Sequence, residues 1–226
     1  MLRDRIPSNQ SPLPNDLDVT PSVEVEKILA FVDETISDFC SFYQSNKDTD
    51  RENRISDFLV HHFQVCKNER FGGFFPFDFR KNPTQEHSEK ETDIGVFVLT
   101  KGRKPISIIE FEAKRFSESS NNKEYVCGTR GGMERFKRGH HASHLLICGM
   151  FAYVQSRTSM EWLDKVNEWI EQLSKSNPDT TIDWSSSKEK LVNEKSFPKI
   201  EKLKSKNYRK QSNDTILLWH YFIDLY

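Results

Sequence analysis

No apolar run in these 226 residues reaches the roughly 18 needed to span a bilayer. The chain starts Met1-Leu2-Arg3-Asp4 and leads into a Pro-, Ser- and Asn-rich stretch without the apolar centre of a secretion signal. The expectation is a soluble, cytoplasmic protein with no membrane partner. Cysteine is scarce: Cys40, Cys66, Cys127 and Cys148 are scattered and mostly embedded in apolar patterns, which suits reduced thiols and not a disulfide framework. Zinc has little to bind, because Cys127, His140, His141, His144 and Cys148 include no Cys-x-x-Cys pair and Cys148 lies inside a run that reads as a core strand. Gly-x-Ser-x-Gly, Walker and dinucleotide-binding patterns are missing, so nothing supports a serine hydrolase, an NTPase or a dehydrogenase. There is no internal repeat.

What is present is a succession of short amphipathic segments. Residues 1–20, with Pro7, Pro12 and Pro14, read as an extended or flexible N-terminal lead, and residues 21–226 as a single domain. Thr20-Pro21 opens a helix, with Pro21 at its first position and a stripe of Val25, Ile28, Leu29, Val32, Ile36, Phe39 and Tyr43. Thr49-Asp50-Arg51-Glu52 opens a second helix with Ile55, Phe58, Leu59, His62 and Cys66 on its buried side. Alternation from Phe75 to Phe79 gives a first strand, followed by a polar loop over 81–91. Two further strands, Thr92–Leu99 and Pro105–Phe116, pair as a hairpin through the turn Lys101-Gly102-Arg103-Lys104. Beyond them come a glycine-rich entry to a short helix (residues 128–138), a strand (Leu145–Val154), a helix (Thr158–Leu173) and a last strand (Thr215–Tyr226) paired with the segment around Asn207 to Lys210.

The chemistry concentrates in the hairpin. Asp93 stands at the mouth of an apolar strand, and period two puts Ile108, Glu110, Glu112 and Lys114 on one face of the next. Three ionisable groups on one face of an otherwise apolar strand are costly to bury unpaired. A metal or a phosphate ligand would resolve that cost.

Asp93, Glu112 and Lys114 resemble the PD-(D/E)XK nuclease superfamily, in which a core hairpin carries Asp on one strand and (Asp/Glu)-x-Lys on the next. Thr92 stands where that pattern has Pro. The resemblance covers residues 50–175 and implies a restriction-endonuclease-like α/β sandwich, a central mixed β-sheet flanked by helices. It implies Asp93, Glu112 and the Ala113 carbonyl as ligands of Mg2+, with Mn2+ able to substitute, and Lys114 as the group that orients or helps deprotonate the attacking water. Glu52, at the head of the second helix, joins as a fourth catalytic residue or else closes a capping box with Thr49. Glu110 reads as a strand-facing acid ahead of a second ligand, and Glu134 either orients a metal-bound water or pairs with Arg138.

Net charge of −1 conceals a basic segment, residues 188–210, in which nine Lys/Arg against three acids give +6 and leave the remainder at −7. A second cluster, Arg130, Arg135, Lys137 and Arg138, follows the Lys114 strand. Both are expected to face phosphates, so the expected partner is nucleic acid, DNA first, and a homodimer would suit double-strand cleavage. The expected activity is metal-dependent phosphodiester hydrolysis, a deoxyribonuclease of bacterial defence or repair. The alternatives are a non-catalytic module of the same fold that binds nucleic acid, and an interaction protein that docks a partner through its first helix.

Overall fold

The computed structural model describes residues 19–72, 75–83, 91–99, 105–128 and 130–226. The turn at 101–104, most of the loop over 81–91 and nearly all of the N-terminal lead therefore lie outside the described residues. Among the described residues, four helices and seven strands run in the order α1 (Val23–Asn46), α2 (Glu52–Phe71), β1 (Phe77–Lys81), β2 (Ile94–Val98), β3 (Ser107–Phe116), α3 (Gly132–Lys137), β4 (Ile147–Val154), α4 (Ser159–Lys175), β5 (Val192–Phe197), β6 (Ile200–Arg209) and β7 (Asp214–Asp224). A 3-10 turn, Asn122–Tyr125, precedes α3. No helix among the described residues is long and apolar enough to cross a membrane.

The strands form one mixed sheet in the order β1-β2-β3-β4-β7-β6-β5. β1, β2 and β3 are an antiparallel meander. β4 lies parallel to β3 and to β7, and β6 and β5 extend the sheet antiparallel beyond β7. This is an α/β layered architecture with separate cores on the two faces of the sheet. One gathers α1 and α2 over Ile109, Phe111, Ala113, Phe151 and Tyr221. The other gathers α3 and α4 over Phe116, Met150, Ala152, Leu218 and Phe222. Residues 109, 111 and 113 thus point to the first core and Phe116 to the second, as the alternation predicts.

Local signals explain most boundaries. Thr158 and Glu161 close a reciprocal capping box at the head of α4, and Gly72 ends α2 in the left-handed conformation at φ 52°. Between β3 and β4, a Cβ on Gly149 would stand 2.2 Å from the Phe111 ring, which stacks on Phe151 at 4.8 Å, so only glycine lets the strands close there.

Some expectations need correcting. Pro21 is not the first helical residue: Ser22 caps α1 by accepting the Val25 N–H at 3.4 Å. The first strand begins at Phe77 and runs to Lys81, not Phe75 to Phe79. The basic segment 188–210 contains the edge hairpin β5–β6. Its cations are largely matched within the protein: Lys190 by Glu171 (2.8 Å), Lys202 by Asp33 (2.7 Å), Lys204 by Glu194, Arg209 by Asp214 (2.5 Å) and Lys210 by Asp183 (3.1 Å). Lys202 and Arg209 are buried. Lys188, Lys195, Lys199 and Lys206 stay exposed, so the segment presents fewer cations than its sequence suggests.

Candidate active site

The register of the β2–β3 hairpin builds the site. Ile94 faces Phe111 and Gly95 faces Glu110, so Asp93, one step before β2, stands across from Glu112. Directly opposed residues of an antiparallel pair project from the same face. Asp93 Oδ2 accepts the Ala113 N–H at 2.7 Å, which anchors it to the strand carrying the Glu-Ala-Lys sequence. Helix α2 supplies the third acid. Glu52 Oε2 accepts the Arg115 N–H at 2.8 Å, and Glu52 Oε1 stands 3.6 Å from Lys114 Nζ. Arg51 caps α2 without a side-chain hydrogen bond and Glu52 is the first helical residue, so the capping box with Thr49 does not form. The carboxylate is directed at β3 instead.

Lys114 is the hub. Its Nζ donates to Glu112 Oε1 at 2.9 Å and to the Ala113 carbonyl at 3.0 Å, besides its approach to Glu52. Burial works against the ammonium, but Glu112, Glu52 and Asp93 outweigh it and hold its pKa above the ordinary lysine value. Asp93 moves the other way: burial, reinforced by Glu112, pushes its carboxyl from 3.8 up to about 6, against the pull of Lys114. Burial also raises Glu52, with Lys114 opposing and Asp93 adding to the shift.

Glu112 is buried and draws a second cation, Arg135 of α3, whose Nη1 donates to the same Oε1 at 2.9 Å. His141 Nε2 lies 4.0 Å from Glu112 Oε2. The approach of α3 depends on Gly132, where a Cβ would meet Met150 Cε at 2.4 Å and the Tyr125 carbonyl at 3.2 Å. Beside Glu52 and Lys114 opens a cleft of about 200 Å3, lined further by Arg51, Arg115, Glu124, Tyr125 and residues 120–122.

The four residues expected to be catalytic, Glu52, Asp93, Glu112 and Lys114, are thus brought together. The basic cluster is not. Arg130 is exposed. Arg135 belongs to the site through Glu112. Lys137 is buried, paired with Glu189, and donates to the Tyr208 carbonyl at 3.2 Å with Trp184 beneath its ammonium at 4.7 Å. Arg138 is tied to Glu134 (2.8 Å), Asp179 and the Thr181 hydroxyl (2.8 Å). Lys137 and Arg138 therefore serve the packing of α3 against the segment after α4, and neither is presented to a phosphate.

Glu134 also accepts the Gly128 N–H at 3.0 Å, so it acts within its own loop. Glu110 is buried and accepts from the Thr92 hydroxyl at 2.9 Å and from Ser107. That is a strand-facing acid satisfied by neighbouring hydroxyls, and it gives Thr92 a structural use. Arg135 was legible in sequence only as a positive charge; its partner comes from a helix packed against the strand. Apart from Glu52 and Lys114, the residues of the cleft had no sequence signal.

Among the described residues, no three Asp, Glu, His or Cys side chains form a group that could hold a metal ion. The set to be judged is accordingly two carboxylates and one carbonyl. Asp93, Glu112 and the Ala113 carbonyl are hard oxygen donors of the kind Mg2+ prefers, and an ion held there would share Glu112 and the Ala113 carbonyl with the Lys114 ammonium. On that donor chemistry the residues fit a hard divalent cation. No protein-family model matches this chain, and no curated protein or solved structure matches it significantly.

Proposed function

We propose that the protein is a metal-dependent nuclease that hydrolyses phosphodiester bonds, with DNA as the first substrate to test. The observation that carries this reading is the convergence on Lys114 of three acids from separate elements, Glu52 from α2, Asp93 from the mouth of β2 and Glu112 from β3. The antiparallel hairpin with Asp on one strand and Glu-x-Lys on the next supports the PD-(D/E)XK resemblance and, with it, a restriction-endonuclease-like fold.

Asp93, Glu112 and the Ala113 carbonyl would hold Mg2+ or Mn2+, which when bound would acidify water and polarise a phosphate oxygen. The protein's own groups divide the remaining work. Lys114 is favoured as an ammonium by its acidic neighbours, which suits orienting the water over deprotonating it. It orients the attacking water and offsets the negative charge that builds on the phosphate oxygens. Glu52, with its raised pKa and its Oε1 turned to Lys114, is the carboxylate placed to take the proton that the water loses. Arg135 holds Glu112 in its rotamer through the same Oε1 that accepts from Lys114.

The test is cleavage of supercoiled plasmid, linear duplex and single strands in Mg2+, Mn2+ and EDTA, beside a Glu112→Ala/Lys114→Ala control. Metal-dependent cutting that the control lacks supports the assignment. Binding without cutting by the wild type moves it to a non-catalytic module. Five of the nine cations of the 188–210 segment are paired within the protein, which leaves that module a smaller basic surface to bind with.

A further inference from the structure

We infer that the cleft beside Lys114 is a subsite for the phosphate and sugar next to the scissile phosphodiester, with Arg51 as its phosphate contact. The inference rests on the nuclease reading and adds to it the least substrate the protein can grip, a strand with a second phosphate flanking the one that is cut.

Position is the first argument. The cleft shares Glu52 and Lys114 with the candidate site, so a strand laid across Lys114 has its neighbouring nucleotide at the cleft mouth. Size is the second. About 200 Å3 falls below the roughly 300–1,000 Å3 of pockets that enclose a whole small-molecule ligand. It leaves room for a phosphate with its sugar. Charge is the third: three cations, Arg51, Lys114 and Arg115, line the cleft with two acids, Glu52 and Glu124.

The cations differ in freedom. Lys114 is committed to Glu112, and an Arg115 guanidinium nitrogen donates to the Asp50 carbonyl at 3.0 Å. Arg51 is exposed and makes no side-chain capping bond, so its guanidinium can turn to a phosphate without giving up a role in α2. The far wall is preformed. Asn122 is pinned at both ends of its amide, accepting the Ser117 N–H at 3.1 Å and donating to the Ser117 carbonyl at 2.8 Å. The cleft therefore keeps its shape before any strand arrives.

Two measurements test the subsite. In EDTA, anisotropy of a fluorescein-labelled single strand is followed over a salt series for the wild type, Arg51→Ala and Arg51→Glu. Losing one phosphate contact should weaken binding about tenfold and reduce the salt slope by about 0.7. With metal, the cut position is mapped and each flanking linkage is replaced in turn by an uncharged methylphosphonate. One flanking linkage should raise KM for the wild type with kcat within about twofold, and the same replacement should leave Arg51→Ala unaffected. Should the wild type bind and cut while both Arg51 variants match it and no flanking linkage matters, the subsite is refuted and the nuclease reading stands. A wild type that neither binds nor cuts any strand overturns both. If the Arg51 variants fail to fold, the linkage scan on the wild type decides alone.

Discussion

Asp93→Asn should make the protein more stable and inactive together, and the gain should depend on pH. Asparagine keeps the shape of aspartate, and its carbonyl oxygen can still accept the Ala113 N–H that Asp93 accepts at 2.7 Å. What it removes is the buried charge beside Glu112. The folded protein holds the Asp93 proton more tightly than the unfolded chain does, with a pKa of about 6 against 3.8. Between those values the folded state carries the extra proton, so the wild type loses stability as pH rises through the window and levels off above it. Each tenfold change in proton affinity is worth about 1.4 kcal/mol, which gives a loss of about 3 kcal/mol by pH 8. Urea unfolding in EDTA from pH 3.5 to 8 should show the two proteins nearly equal at the acid end and the variant ahead by up to about 3 kcal/mol at pH 8. Added Mg2+ should raise the wild type and leave Asp93→Asn where it was, because only a folded site with both carboxylates gains from the ion. A gap that does not change with pH, or a variant less stable than the wild type at pH 8, would refute the reasoning.

Three further outcomes are expected. Glu52→Gln should keep the fold, as read by circular dichroism, and lower kcat at least about 100-fold, the scale of a lost general base; an unchanged kcat removes Glu52 from the chemistry. Lys137→Met strands a buried carboxylate on Glu189 and should cost about 3–5 kcal/mol in a denaturant titration. Affinity for nucleic acid, measured where the variant is folded, should not change, and a drop would return Lys137 to the binding surface. Gly132→Ala forces Met150 aside and should cost about 1–3 kcal/mol; a neutral melt would show that α3 has slack against Glu112.

The sequence made the hairpin legible because both of its signals are local: alternation sets the strands, and one residue type at each of three positions sets the acids and the lysine. The head of α2 was legible for the same reason, but whether Glu52 serves the backbone or the site turns on which residue caps the helix. That is decided by the contact with Arg115 across the space between α2 and β3. The basic residues misled because charge in a sequence carries no partner. Lys137 meets Glu189 and Lys202 meets Asp33, pairs 52 and 169 residues apart that only the folded sheet brings together. The strand β5 was hidden by its composition: Val192–Phe197 is an exposed edge strand, so it shows little of the apolar alternation that marks β1 to β3.

The sheet order has a consequence for the chain as it is being made. β4, buried along its whole length, takes β3 on one side and β7 on the other, and β7 begins 60 residues after β4 ends, at 214 against 154. Until β7 has been made, the first four strands can pair but β4, apolar on both faces, keeps one edge of unpaired backbone groups open. The nascent chain therefore passes through a stage in which its stickiest strand awaits a partner, and such a stage invites a chaperone or association between neighbouring chains. Long-range parallel pairing of this kind also folds slowly. The strand that completes the middle of the sheet is the last of the seven to emerge.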